Sequence, residues 1–256
     1  MAEEVATQDV SAQDVDGRIA EHGRQWRKKP ALRDIYVDLY RRMAAQLVKG
    51  ATLEIGGGSG IFKEFAPDTV TTDILLAPWL DLVADAQTLP FANESFANIV
   101  MFDVLHHIEF PRKFLAEAQR ILKPGGRVIM VEPGISPLSW PFYNYIHPEP
   151  VRLGDDPLLD GVADPGRDAF DANQAIPTLL FGRHAQRFAA DFPTFKVVAK
   201  QWLSLFAYPL SGGFKPWSLI PHALVKPVLK LEDVLAPVVG PLMGFRLLVA
   251  IEKQTQ

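Results

Sequence analysis

The chain contains no cysteine, which excludes disulfides, thiolate metal sites and a cysteine nucleophile. No uninterrupted apolar run approaches the roughly 18–20 residues that span a bilayer. No Gly-Lys-Ser or Gly-Lys-Thr ends a glycine loop, so a P-loop is excluded. Ser59 does not lie in Gly-x-Ser-x-Gly, and no triad supports it as a hydrolase nucleophile. Excess positive charge is missing too. The net charge is −4, so nothing attracts nucleic acid generally and no nucleic-acid partner is expected. No Asn-Pro-Pro-Tyr run follows the fourth strand. Met1 to Gln13 is acidic and polar, unlike a signal peptide, and a cytoplasmic location is expected.

Apolar residues make up 48% and charged residues 22% of 256, as in a globular chain with a sizeable core. Residues 1–30 read as a flexible leader, and 31–256 as a single domain. From Leu32 to Leu47, Ile35, Tyr36, Leu39, Tyr40 and Met43 recur at helical spacing. The period then changes to short apolar strands: Ala51–Ile55, one ending at Asp73, Asp81–Asp85, Ala97–Phe102 and Arg127–Glu132. Helical patterns separate them, such as Phe114, Leu115, Ala118 and Ile121. This alternation predicts a doubly wound, Rossmann-like α/β fold with a seven-stranded, mainly parallel sheet. Residues 134–182 are irregular and rich in Pro, Asp and aromatics, and read as a substrate-side cap. Residues 210–243 read as an apolar insertion broken by prolines into short helices. Phe195–Phe206 reads as a sixth strand region and Gly244–Ile251 as the last strand.

The strongest local signal is Leu53-Glu54-Ile55-Gly56-Gly57-Gly58-Ser59-Gly60, a glycine loop directly after a strand. Glycine lets the chain turn sharply and lets a ligand touch backbone. The spacing differs from the dinucleotide Gly-x-Gly-x-x-Gly, which disfavours a dinucleotide-dependent oxidoreductase. Asp73 closes the second strand, where an acid can accept from ribose hydroxyls. Asp85 closes the third and can accept from an adenine amino group. Glu54 is placed to meet an ammonium.

Four segments resemble the class I S-adenosylmethionine-dependent methyltransferases, in particular the type 11 methyltransferase-domain group. They are Leu53–Gly60, Asp85–Phe91, Asn98–Ile108 and Leu122–Glu132. Asp103-Val104-Leu105-His106-His107-Ile108 and Leu122-Lys123-Pro124-Gly125-Gly126-Arg127 carry it best. The resemblance spans Gly50 to Pro133 and implies S-adenosyl-L-methionine as cofactor. It implies that Glu54, Gly56, Gly58 and Gly60 hold the methionine end, Asp73 the ribose, and Asp85 with Ala86 the adenine. Phe102 and His107 would lie beside the reacting methyl, and the last two strands would pair antiparallel. The insertion of Leu210–Met243 departs from the compact family layout.

A sulfonium methyl is already activated, so the protein mainly aligns the acceptor and excludes water. A base is needed only for a protonated, weakly acidic acceptor. Adjacent residues on a helical turn point in different directions, so only one of His106 and His107 is expected to act, and family position favours His107. His106, Tyr143, His147 and Glu149 are candidates for acceptor binding. No metal is expected, because no carboxylate or third histidine falls at ligand spacing from the pair. The acceptor is expected to be small or amphipathic, a glycan or lipid-linked intermediate included, methylated on oxygen or carbon. Residues 214–239, with Lys226 and Lys230 beside an apolar face, are a candidate for peripheral contact with the inner face of a membrane. A noncatalytic S-adenosylmethionine-binding module is the rival reading.

Overall fold

The computed structural model describes residues 16–58 and 60–255, so the start of the leader and Ser59 lie outside it. The chain begins with α1 (Gly17–Lys28) and α2 (Pro30–Ala44). The strands are β1 (Thr52–Ile55), β2 (Val70–Asp73), β3 (Leu82–Val83), β4 (Phe96–Phe102), β5 (Leu122–Pro133), β6 (Phe195–Leu203) and β7 (Arg246–Lys253). They form one sheet in the order β3-β2-β1-β4-β5-β7-β6. The first five are parallel, and β7 runs antiparallel to both β5 and β6.

Both faces of the sheet are covered, which is why its central strands read as continuous apolar runs. Ile99, Met101, Val128, Met130, Leu247 and Val249 face one core, beneath α3 (Pro111–Ile121). Val100, Ile129, Val131, Leu248 and Ala250 alternate to the other, beneath α2. Pro111 starts α3 where its missing N–H costs nothing, and Phe114, Leu115, Ala118 and Ile121 form its fully buried stripe. In α2 the buried stripe is the one the spacing predicts, from Leu32 to Met43.

Three expectations change. The reading of 1–30 as a leader is corrected at its end, because α1 is a helix capped by Asp16, whose Oδ1 accepts from the Arg18 amide at 2.7 Å. It lies over the cavity described below. The strand at 127–132 starts earlier, with a register shift absorbing the turn between Phe96 and Asn98. The apolar insertion is not a set of short helices. It contains α7 (Ala207–Ser211) and one long α8 (His222–Met243) with Pro227, Pro237 and Pro241 inside it. All three prolines sit on the exposed side, where water can take up the carbonyls they leave unpaired.

The cap contains α4 (Ser139–Tyr145) and α5 (Ile176–Leu180), with α6 (Ala185–Asp191) following. Asn173 organises it. Its Oδ1 accepts from the Arg152 and Ala175 amides at 2.8 and 3.0 Å, and its Nδ2 donates to the Arg152 carbonyl at 2.9 Å. At the junction of α1 and α2, the Lys29 ammonium sits among four carbonyls, of Ser211, Gly213, Lys215 and Trp217, at 2.6–2.9 Å.

Candidate active site

β1 lies between β2 and β4, so the strand order reverses there and a crevice opens at the strand ends. A cavity of about 1450 Å³ occupies it. That exceeds the roughly 300–1,000 Å³ of a single-ligand pocket, leaving room for a cofactor and an acceptor together. Residues 19–27 of α1 line its roof except Gln25. Gly56, Gly58, Gly60, Asp73, Asp85 and Ala86 line one end, and Phe102, His106, His107, Tyr143, His147 and Glu149 the other.

The glycine loop is shaped by close contacts. Gly56 and Gly60 have φ of +77° and +67°, where a side chain is strained. A Cβ on Gly58 would meet Asp73 Oδ2 at 2.9 Å and Ile19 at 3.2 Å. The Gly58 amide donates to Asp73 Oδ2 at 2.9 Å, and the Leu75 amide to Oδ1 at 2.9 Å. Asp73 is therefore fixed by backbone, with lone pairs left for a ligand. Burial raises its pKa. Asp85 Oδ1 accepts from the Gln87 amide at 2.8 Å, while Asp85 lines the cavity.

Glu54 differs from the expectation: it does not line the cavity wall. It is buried behind the loop, and Oε2 has no hydrogen-bond partner. Burial, with the nearby Asp73 charge, pushes its pKa up to about 8. An orphaned buried carboxyl, a tight glycine cradle and two acids at successive strand ends fit the cation, backbone and hydroxyls of an S-adenosylmethionine molecule.

At the other end, a 3₁₀ turn, Leu105–His107, presents both histidines. Their rings bend toward each other, with centroids 4.1 Å apart, so both face one region, contrary to the expectation for adjacent residues. His106 Nδ1 lies 2.7 Å from Glu132 Oε2, and Nε2 lies 3.4 Å from Glu149 Oε2. Burial opposes a charged ring, but the hydrogen bonds to Glu132 and Glu149 outweigh it and push the His106 pKa up to about 10. The pKa of His107 falls to about 4, through burial and the His106 charge. It is the uncharged member of the pair, and its Nδ1 is buried without a partner. Burial also drives His147 down to about 4. Glu149 falls to about 2, because the His106 bond and charge outweigh burial. Tyr143 is 1% exposed, and its hydroxyl donates to the Phe245 carbonyl at 2.7 Å, so its ring rather than its hydroxyl faces the cavity.

Sequence reasoning missed Glu132 as a site residue, together with Gln174, Arg246 and Tyr36. Glu132 carries a signal: an acid at the end of a strand half that is buried from Val128 onward needs a partner. It accepts from the Val104 and Leu105 amides at 2.9 and 2.8 Å and holds His106. Arg246 pairs with Asp103, donates to the Tyr36 hydroxyl at 3.0 Å and sits over the Tyr208 ring at 4.5 Å. Phe102 stacks on Tyr36 with centroids 5.0 Å apart.

A parallel sheet with this glycine cradle and these acids over one shared cavity defines the class I, S-adenosylmethionine-dependent methyltransferase fold. Residues 53–130 match the family model described as a methyltransferase domain. It is 29% identical over 136 residues to a demethylmenaquinone methyltransferase of Renibacterium salmoninarum, covering 48% of this chain and 55% of the relative. It is 34% identical over 111 residues to a phthiotriol/phenolphthiotriol dimycocerosates methyltransferase of Mycobacterium tuberculosis, covering 36% and 41%. The chain thus spans about half the length of the relatives it matches. A solved SAM-dependent methyltransferase of Thermotoga maritima shares the fold, with a TM-score of 0.59 and 18% identity over 93% of this chain and 97% of that one.

Proposed function

We propose that the chain transfers the methyl group of S-adenosylmethionine to an oxygen or carbon of a small, amphipathic acceptor. One observation carries this reading: the glycine cradle with Asp73 and the histidine pair line the same cavity. The cofactor's methionine end lies over Gly56, Gly58 and Gly60, its ribose at Asp73 and its adenine at Asp85 and Ala86. When bound, it supplies an electrophilic methyl. The chain's own residues then align the acceptor and close off water, with α1 as the roof. His107, uncharged at neutral pH, stands beside the reacting atoms and orients the acceptor. The aromatic rings of Phe102, Phe142, Tyr208 and Phe214 on the cavity wall favour an acceptor with an apolar or aromatic body. Two relatives whose names contain a demethylmenaquinone and a phthiotriol dimycocerosate support the choice of a lipid-like class.

Calorimetric titration with S-adenosylmethionine and S-adenosylhomocysteine tests the reading, with nicotinamide dinucleotides as controls. Micromolar binding of the first pair alone is expected. Folded protein that binds neither overturns it. With acceptor in hand, His107→Ala is expected to lower turnover more than cofactor affinity.

One feature favours peripheral membrane contact. The outer face of α8 exposes Leu224, Leu231, Val234, Val238 and Leu242, each 50–78% accessible, at three-, four- and seven-residue spacing. The opposite face packs inward through Val225, Glu232 and Gly240. The Leu138 amide donates to the Leu242 carbonyl at 3.0 Å, which joins this stripe to exposed Leu138 and so to α4, whose Phe142 and Tyr143 line the cavity. Lys226 flanks the stripe, 77% exposed. Among the described residues no helix is long and apolar enough to cross a membrane. The stripe therefore lies on a lipid surface, near the source of an amphipathic acceptor. Wild-type protein is expected to co-sediment with phosphatidylglycerol vesicles, and Val234→Lys with Val238→Lys to abolish it. Equal sedimentation of the double variant removes this reading.

A further inference from the structure

We propose that His106, His107 and Glu149 hold a divalent transition-metal ion at the acceptor end of the cavity. This deepens the methyltransferase reading by assigning the histidine pair a joint role. One ring nitrogen of each histidine and one carboxylate oxygen of Glu149 lie within 4.8 Å of one another. All three residues line the cavity. The absence of a carboxylate at ligand spacing along the sequence does not hold in space, because the cap brings Glu149 to the pair.

The surroundings of these groups are those of ligands. Glu132 is completely buried, with Oε1 held by two backbone amides and Oε2 on His106 Nδ1. A carboxylate behind a histidine in this way orients the ring, and an ion at Nε2 takes the place of the proton that Nε2 otherwise shares with Glu149. Here Nε2 is turned toward Glu149, at 3.4 Å. Gln174 donates to Glu149 Oε2, and its own amide bonds the Pro150 carbonyl at 3.0 Å, so the carboxylate has a support of its own. His107 Nδ1 is buried with no hydrogen-bond partner. Such a nitrogen normally finds a partner, so the His107 ring keeps unsatisfied hydrogen-bonding capacity beside the other two ligands. A second group, Asp103, His106 and Glu132, is equally close, but Asp103 is committed to Arg246 and Glu132 to the amides.

Two imidazoles and one carboxylate suit zinc(II), manganese(II) or iron(II) rather than calcium or magnesium, which take oxygen ligands. Three protein ligands leave coordination positions open toward the cavity. The chemical class that fills them is an acceptor bearing a hydroxyl, enol or phenol oxygen, which fixes the atom to be methylated.

The test uses untagged, chelator-stripped full chain dialysed against zinc(II), with bound metal measured by mass spectrometry, and a cobalt(II) titration followed by visible absorbance. One ion per chain at micromolar free zinc is expected. Glu149→Gln and His107→Gln should each lower affinity at least about tenfold, and Glu132→Gln by about 10–100-fold. His107→Gln should also shift the cobalt band. Far-UV circular dichroism identifies any variant that fails to fold. No zinc held at micromolar concentration, or binding unchanged in both Glu149→Gln and His107→Gln, overturns the site. S-adenosylhomocysteine calorimetry on the same samples separates the two readings. Nucleotide binding without zinc defeats only the metal site, and zinc binding without nucleotide defeats only the methyltransferase reading.

Discussion

Glu54 holds its proton at a pH where ordinary carboxyls have lost theirs, with a pKa of about 8 against 4.5. Its contribution to stability is present below the unfolded value and is lost as pH rises through 8, because the unfolded chain has already released the proton. A cation held over the glycine loop, with Glu54 buried behind that loop, favours the carboxylate. Affinity for S-adenosylmethionine is therefore expected to rise with pH between 4.5 and 8, with proton release on binding, and to level off above. Glu54→Gln should flatten that profile, as read by calorimetry in buffers of different ionisation enthalpy. A flat wild-type profile would show that Glu54 does not sense the cofactor's charge. Gly58→Val should abolish cofactor binding with the fold retained, since its Cβ starts 2.9 Å from Asp73. With the ribose at Asp73 as proposed, Asp73→Ala is expected to lower cofactor affinity about 10–100-fold, read by the same calorimetry. Gly56, Gly58, Gly60, Asp73, Asp85 and Ala86, named from the sequence, line one cavity, because they stand in one run or close successive strands, whereas Glu54 lies behind the loop. The acceptor end was only half legible. His106 and His107 are adjacent in sequence, but Glu132 and Glu149 reach them from 26 and 43 positions away, and no spacing rule links them.

At the scale of elements, α2, α3 and β4 carried clear periodicity because one full stripe or one full strand is buried. Helix α1 did not, since Ile19 and Gln25 are its only buried residues. Its place is set instead by links beyond the helix. Arg18 bonds Asp168 at 3.0 Å and lies over the Phe170 ring at 3.7 Å, tying the roof to the cap. Helix α8 was misread as broken because a proline rule was applied without knowing which face meets water. Lys29 ties the α1–α2 junction to the loop before α8. Lys29→Met leaves four carbonyls facing an apolar chain and is expected to cost about 2–4 kcal/mol, seen as a Tm several degrees lower. An unchanged Tm would mean that water replaces the ammonium without loss.

For the whole molecule, the sheet was legible because its central strands are covered on both sides, and such strands are written in apolar residues whatever the loops do. The cap was not, because Asn173 and its neighbours hold it by side-chain bonds to backbone, which have no period. Stability should follow the same division. Amide exchange is expected to be slowest in β4, β5 and β7 and fastest in β3, whose Leu82 and Val83 are exposed. S-adenosylhomocysteine should slow exchange at residues 56–58, at Asp73 and along α1. No change in α1 would remove it from the roof of the site.

The carbonyl cradle around Lys29 also sets how the cavity can open. It fixes the chain at the foot of α1, while the far end is held by the Arg18–Asp168 pair at the surface and by buried Ile19 beside the glycine loop. A helix of 12 residues is a rigid arm about 18 Å long. With its foot pinned, a rotation of only about 20° carries the far end through about 6 Å, a step wide enough to admit a ligand. The contacts thus place the anchored foot of the roof at Lys29 and its tie to the cap at Arg18, Asp168 and Phe170, at the tip of the arm.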